Sequence, residues 1–303
     1  MSSGAPDADA YTKPFMLTES MRRDVYPAVD PATNPELESS SKVVIVTGAG
    51  GGLGSAIAKS WVEAKAQGIV LVGRKLESLQ AVAKELGTSS KVLAVAADVT
   101  SLSDVEAVFK KAISEFGHVD VLVNAHGAMN VAPIGTIDPS QWWENFEVNV
   151  RGVYNTAHSF IKATGGAGTI VNLTSLAASF TNPGMSGYTA SKLAVIKIGE
   201  CLAVEHPNLR VVAVHPGMVE AQKGRGMVIE AFLPFSTDKQ ALTGGLTVYL
   251  STPRAAFLNG GYIHSNWDVV ELEKHKEEIT EKSLVKLAFL NAKLQPGGYP
   301  WSS

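Results

Sequence analysis

The feature that most constrains this chain is an uninterrupted β-branched run that empties into glycine. Val43-Val44-Ile45-Val46-Thr47 is followed by Gly48-Ala49-Gly50-Gly51-Gly52-Leu53-Gly54, and a helical pattern begins near Ser55. β-branched residues favour the pleated strand, so the local order is strand, glycine turn, helix. Missing Cβ atoms let such a turn bend sharply and approach a pyrophosphate, whose charge is stabilised by free amides and the positive end of the helix dipole. A glycine cluster by itself is equally a tight turn; the strand before it and the helix after it are what point to a phosphate. No Lys-Ser or Lys-Thr follows the glycines, which excludes a mononucleoside-triphosphate loop.

The same texture continues downstream. Short Val/Ile/Ala-rich runs at 43–47, 69–73, 91–97, 119–124, 168–174, 210–214 and 261–264 alternate with helical segments. Runs apolar on both sides belong in a covered parallel sheet, so residues 42–270 are expected to form a single Rossmann-type domain of the doubly wound α/β class. With 303 residues, 45% of them hydrophobic, the chain can bury such a core. Residues 1–41 hold five of the 14 prolines and show no sustained period, which predicts an irregular arm. Its Tyr11, Phe15, Leu17, Tyr26 and Leu37 are too apolar for a spacer, so part of the arm should pack on its own domain or on a neighbouring subunit. Residues 271–303 are read as a carboxyl-terminal extension with an amphipathic helix over 271–290.

Composition narrows the partners. Lys+Arg total 26 against Asp+Glu 29 with no block of like charge, so nucleic acid is not expected. The single cysteine, Cys201, lies in the apolar helical run Ile198 to His206 and reads as a small buried hydrophobe; no disulfide framework is possible and no metal ligands are assigned. The first residues carry Asp7, Asp9 and Glu19 without an apolar leader, and no apolar run approaches the ~20 residues of a membrane span, so a soluble, cytoplasmic protein is expected.

Two further stretches carry chemistry. Ile69-Val70-Leu71-Val72 ends in Gly73-Arg74, where an NAD enzyme would place an acid on the ribose 2′-hydroxyl. Arg74 can instead meet a 2′-phosphate, which favours NADP(H) over NAD(H); a solvated arginine at a helix start is the other reading. Asp98-Val99 closes the third run at the adenine end of such a site, and Asp98 could equally cap the helix that follows. Thr169-Ile170-Val171-Asn172-Leu173 delivers Thr174-Ser175, and 13 positions after Ser175 comes Tyr188, followed by Lys192 on the same helix face. Hydroxyl, phenol and ammonium are thereby brought to the carboxyl end of the sheet, where open α/β folds bind ligands.

Taken in order, these residues resemble the short-chain dehydrogenase/reductase family over roughly Lys42 to Asp268. The match runs through Thr47-Gly48 with Gly52 and Gly54, Asp98, Asn124 with Gly127, Asn149, Ser175, Tyr188, Lys192 and Pro216-Gly217. The resemblance implies a nicotinamide cofactor held by Gly48, Gly50, Gly52, Leu53, Gly54, Arg74, Asp98, Val99, Asn124, Tyr188, Lys192, Pro216, Gly217 and Val219. It also implies that Tyr188 is the general acid/base, that Ser175 hydrogen-bonds the substrate oxygen, that Lys192 holds the ribose and lowers the tyrosine pKa, and that Asn149 anchors a relay water. A phenol titrates near ~10, and an adjacent cation should bring it on the order of 1–3 units toward working pH. The expected activity interconverts a ketone and a secondary alcohol on a hydrophobic small molecule. A redox-neutral isomerase, epimerase or cyclisation catalyst, and a silent binding protein, are the alternatives.

Some positions depart from the family pattern. His126 stands where a second asparagine is usual; it could contact substrate or simply pack. Ala221 stands where a threonine would contact the cofactor. The stretch Met218 to Phe235, with Met227, Val228, Ile229, Phe232, Leu233 and Phe235, is read as a lid over an apolar substrate or as the core of a short helix. Helices at about 150–163 and 187–204 are expected to build a homo-dimer or homo-tetramer interface, as their counterparts do in the family. The arm and Asn266-Trp267-Asp268-Val269 resemble a fungal branch often tied to secondary metabolism.

Overall fold

Val43–Thr47 (β1) is buried at every position, as a β-branched run at the centre of a two-sided sheet should be. The computed structural model describes residues 6–220 and 230–288. In it, β1 is joined by Gly68–Gly73 (β2), Lys91–Ala96 (β3), Val121–Asn124 (β4), Gly168–Leu173 (β5), Leu209–His215 (β6) and Tyr262–His264 (β7). All pair in parallel, in the order β3-β2-β1-β4-β5-β6-β7, with Thr47 opposite both Val72 and Asn124. The chain winds outward in both directions from β1 and β4, which opens a crevice at their carboxyl ends. The expected strands are met within two residues at each end.

Alternation along β1 sorts the two layers. Val44 and Val46 join the core that holds Ile57 and Trp61 of Gly52–Glu63 (α1) and Leu79 of Leu76–Leu86 (α2). Val43 and Ile45 face Val105, Val108 and Phe109 of Leu102–Phe116 (α3). Pro139–Phe146 (α4) passes through a π-helical turn at Glu147–Arg151 into Gly152–Thr164 (α5), whose Phe160 belongs to the second core. Ser186–Glu205 (α6) turns Val195, Ile196 and Gly199 inward, while Gln240–Leu250 (α7) lies in the first core beside α1, its Thr247 hydroxyl accepting from Trp61 Nε1 at 3.1 Å. No helix among the described residues is long and apolar enough to cross a membrane.

The arm packs on its own domain. Tyr26, Val29 and Leu37 belong to the first core, and the Tyr26 hydroxyl accepts from Val269 N at 2.8 Å. The chain passes so close to α7 that a Cβ at Gly245 would stand 1.9 Å from the Val29 carbonyl oxygen.

Two expectations are corrected. The helix over 271–290 is two short ones, Val269–Lys274 (α8) and Lys276–Glu281 (α9), broken at His275. After α9 the chain is drawn to the sheet edge, where the Val285 carbonyl accepts from Tyr262 N at 2.8 Å and Val285 itself is buried. An edge strand needs that partner, and a continuing helix could not supply it. Cys201 is exposed, because α6 is apolar on more than one face and its inward stripe runs through Lys192, Val195, Ile196 and Gly199.

Candidate active site

The crevice is built from the glycine turn upward. Gly48 takes φ +68°, and a Cβ on Gly54 would lie 2.3 Å from the Gly48 carbonyl oxygen, so the turn closes only without side chains. At the head of α1 the N-cap is Gly51, which has no side chain to occupy the first amides. Those free amides form one end of a cleft of about 880 Å³. Gly48, Gly52, Leu53 and Gly54 line it, then Arg74, Asp98 and Val99, and at the far end Tyr188, Lys192, Pro216, Gly217 and Val219.

Two of the expected cofactor residues stand behind the wall. Gly50 packs toward Ser78 and Leu79. Asn124 is buried, donates to Asn172 Oδ1 at 2.9 Å and accepts from the Thr156 hydroxyl at 2.9 Å, so it ties β4 to β5 and α5 without facing the cleft. Arg74 is exposed at the mouth. The Asp98 carboxyl is held below its ordinary value, chiefly by the Thr100 backbone N–H and further by the Arg74 charge. Asp98 does not cap α3; Ser101 does, accepting from Asp104 N.

A nicotinamide dinucleotide suits this cradle. Its phosphates would meet the uncapped amides of α1, and its ring end would reach the cleft wall at Gly127, which packs toward Asn149 and Lys192: a Cβ there would stand 3.4 Å from Asn149 Oδ1 and 3.6 Å from Lys192 Nζ. No cluster of metal-ligating side chains occurs among the described residues.

At the far end α6 supplies Tyr188 and Lys192, and the loop after β5 supplies Ser175, whose Oγ accepts from Ala177 N at 3.1 Å and hydrogen-bonds to Tyr188. Lys192 is buried, donates from Nζ to the Leu173 carbonyl at 2.9 Å, and is pulled down to about 8 by burial. The expected depression of the Tyr188 pKa is not met. Burial pushes the phenol up, the Ser175 bond only partly offsets this, and Lys192 Nζ lies 5.9 Å from the ring centroid. Desolvation outweighs a cation that is turned toward a backbone carbonyl.

Asn149 sits in the π-helical turn, a deformation frequent at functional sites. Its Oδ1 accepts from Ala128 N at 2.8 Å, and its Nδ2 donates to the Ala128 carbonyl and the Ser191 hydroxyl, each at 2.9 Å. Both amide protons are thus used in holding the wall beside Lys192. His126 lines the cleft beside Gly127; its Nδ1 lies 2.7 Å from Thr47 Oγ1, its Nε2 is buried without a partner among the described residues, and burial together with the Lys192 charge lowers its pKa to about 3.

A second cavity, of about 160 Å³, adjoins the cleft; Ser175, Tyr11, Phe180, Met185, His215 and Phe232 are among its walls. Tyr188 lines both spaces. Tyr11, Phe180, Met185 and His215 belong to no motif that marks a site; their only local signals are the apolar character of the arm and the position of His215 directly before Pro216-Gly217. Of the expected lid, Phe232 and Leu233 line the cleft, whereas Ala221 and Met227, Val228 and Ile229 lie outside the described residues.

A model of the family described as short chain dehydrogenase matches residues 42–227. A protein of Monascus purpureus named short chain dehydrogenase mpl6 is 30% identical over 289 residues, covering 90% of this chain and 96% of its own. Short chain dehydrogenase andI of Emericella variicolor is 31% identical over 278 residues, covering 88% and 93%. The crystal structure of a putative short-chain alcohol dehydrogenase from Sinorhizobium meliloti 1021 superposes with a TM-score of 0.70 at 27% identity, covering 77% of this chain and 97% of that one.

Proposed function

The chain belongs to the short-chain dehydrogenase/reductase family, and on that premise we propose that it interconverts a hydrophobic ketone and the corresponding secondary alcohol with NADP(H), using Tyr188 as general acid/base. The observation that carries this reading is that Tyr188 borders both the long cleft and the small apolar cavity, with Ser175 bonded to it and Lys192 behind. When bound, NADPH supplies the hydride that reaches the carbonyl carbon. As the carbonyl π pair moves onto oxygen, the Tyr188 hydroxyl passes its proton to that oxygen. Burial keeps the phenol protonated, which is the form reduction needs. The phenolate left behind is stabilised by the Ser175 hydroxyl and the Lys192 charge, and solvent restores the proton. Asn149 serves as a positioning residue through Ala128 and Ser191. Exposed large apolar side chains on α5 and α6, Tyr154, Leu193 and Val204, support association into a homo-oligomer.

The test is Tyr188→Phe, followed by NADPH absorbance against a panel of apolar ketones. NADPH affinity should stay within about twofold while turnover falls by ~10²–10⁴, the usual loss with a general acid. Near-normal turnover removes Tyr188 from the chemistry. Product formed without stoichiometric loss of NADPH replaces this reading with a redox-neutral one.

A further inference from the structure

Tyr11 of the amino-terminal arm forms part of the wall of the small cavity, beside Phe232. Tyr11 meets Phe232 and Phe235 edge-on, with ring centroids 5.7 and 4.8 Å away and interplanar angles of 87° and 86°. Such edge-to-face pairs are favourable beyond their buried area. Phe15 stacks on Phe180, another wall of the cavity, at 6.1 Å.

The arm is pinned on both sides of Tyr11. Upstream, Asp9 pairs with the Arg23 guanidinium, which also binds the fully buried Asp238. Asp238 in turn accepts from Met218 N at 2.6 Å, and Met218 lines the same cavity. Downstream, Trp267 Nε1 donates to the Phe15 carbonyl at 2.9 Å. Tyr11 is therefore a placed ring, not a loose one: backbone and ion-pair anchors set where it stands, independently of anything in the cavity.

We infer that Tyr11 is a specificity-determining residue, and that the arm it belongs to sets the upper size of the substrate. This rests on the reading of the cavity as the substrate pocket. A cavity of about 160 Å³ compares with the roughly 150 Å³ that takes up benzene. Beyond the reacting carbonyl, the pocket accommodates about one six-membered ring, and Tyr11 blocks a second. The ring does the blocking, because it is the ring that meets Phe232 and Phe235 at the cavity wall. Tyr11→Phe therefore keeps the wall, and Tyr11→Ala opens it.

The experiment measures binding rather than turnover. Full-length protein saturated with NADP⁺ is titrated with cyclohexanone, 1-tetralone and 9-fluorenone by ligand-observed NMR. Wild type and Tyr11→Phe should bind the one-ring ketone at least about tenfold more tightly than the two-ring one, the scale on which pockets discriminate small apolar increments. Tyr11→Ala should reduce that ratio at least fivefold, and Phe232→Ala, which removes one of the two rings that Tyr11 meets edge-on and itself lines the cavity, should do the same. An unchanged size order in both alanine variants, with unaltered melting temperature and NADP⁺ affinity, overturns the inference. So does failure of all three ketones to bind wild type. Size-ordered ketone binding without NADPH consumption would sink the redox reading alone; NADPH consumption with no effect at Tyr11 would sink this inference alone.

Discussion

Replacing Arg74 with alanine tests cofactor choice most directly. Gly73 offers no carboxylate for a ribose 2′-hydroxyl, and Arg74 stands exposed at the cleft mouth without an ion-pair partner among the described residues. It gives up no existing bond to bind a 2′-phosphate, so the full charge-assisted contribution of about 1.5–3 kcal/mol is in principle open to it. Two features of the site reduce that figure. Exposure lets salt screen the contact, and Asp98 nearby is held ionised, which opposes a second anion. The lower end, about 1.5 kcal/mol, corresponds to roughly tenfold discrimination. Initial rates with NADPH and NADH, alongside fluorescence titration of each reduced cofactor, measure it. Wild type should prefer NADPH about tenfold, less so at high salt. Arg74→Ala should raise the Michaelis constant for NADPH to that for NADH and leave NADH unchanged. If wild type uses both cofactors equally and Arg74→Ala alters neither, Arg74 is only a solvated helix-start residue.

The Lys192 pKa makes a stability prediction. A lysine at about 8 when folded and 10.5 when unfolded binds fewer protons in the folded state between those values, so its burial cost is present below pH 8 and lifts as pH rises through that window. Urea unfolding at pH 7 and pH 9 should therefore show wild type gaining about 1 kcal/mol relative to Lys192→Met, and a constant difference would contradict the burial argument. In the same range the rate of ketone reduction should decline above about pH 8, as the cation that stabilises the Tyr188 phenolate is lost; a flat profile to pH 10 would remove that charge from the mechanism. Light scattering at micromolar concentration should give a dimer or tetramer, and a species of 32.0 kDa alone would leave the α5 and α6 apolar positions without a partner.

Much of the fold was legible because its signals are local. Five consecutive β-branched residues have few stable uses outside a buried strand, and glycines at its end can be recognised without knowing what they touch. Tyr188 and Lys192 share a helix face by spacing alone, and Ser175 follows directly from a strand end. These elements are specified by backbone preference and short-range geometry, which a linear sequence carries in full.

What only the tertiary structure decided depends on which distant surfaces meet. Tyr11 closes a pocket because Phe232 and Phe235, more than two hundred residues later, arrive at its ring. The carboxyl-terminal helical stretch ends after Glu281, where the chain brings the Val285 carbonyl to the edge of β7. Asn124 and Gly50 are absent from the cleft wall because Asn172 and Thr156 take up the Asn124 amide and Gly50 packs toward Ser78 and Leu79. The Tyr188 phenol is pushed up rather than down because burial strips water from it by more than the Ser175 hydroxyl offsets, with Lys192 Nζ 5.9 Å from the ring centroid. Desolvation and contact are sums over everything nearby in space, and proximity of that kind has no local signature in the chain.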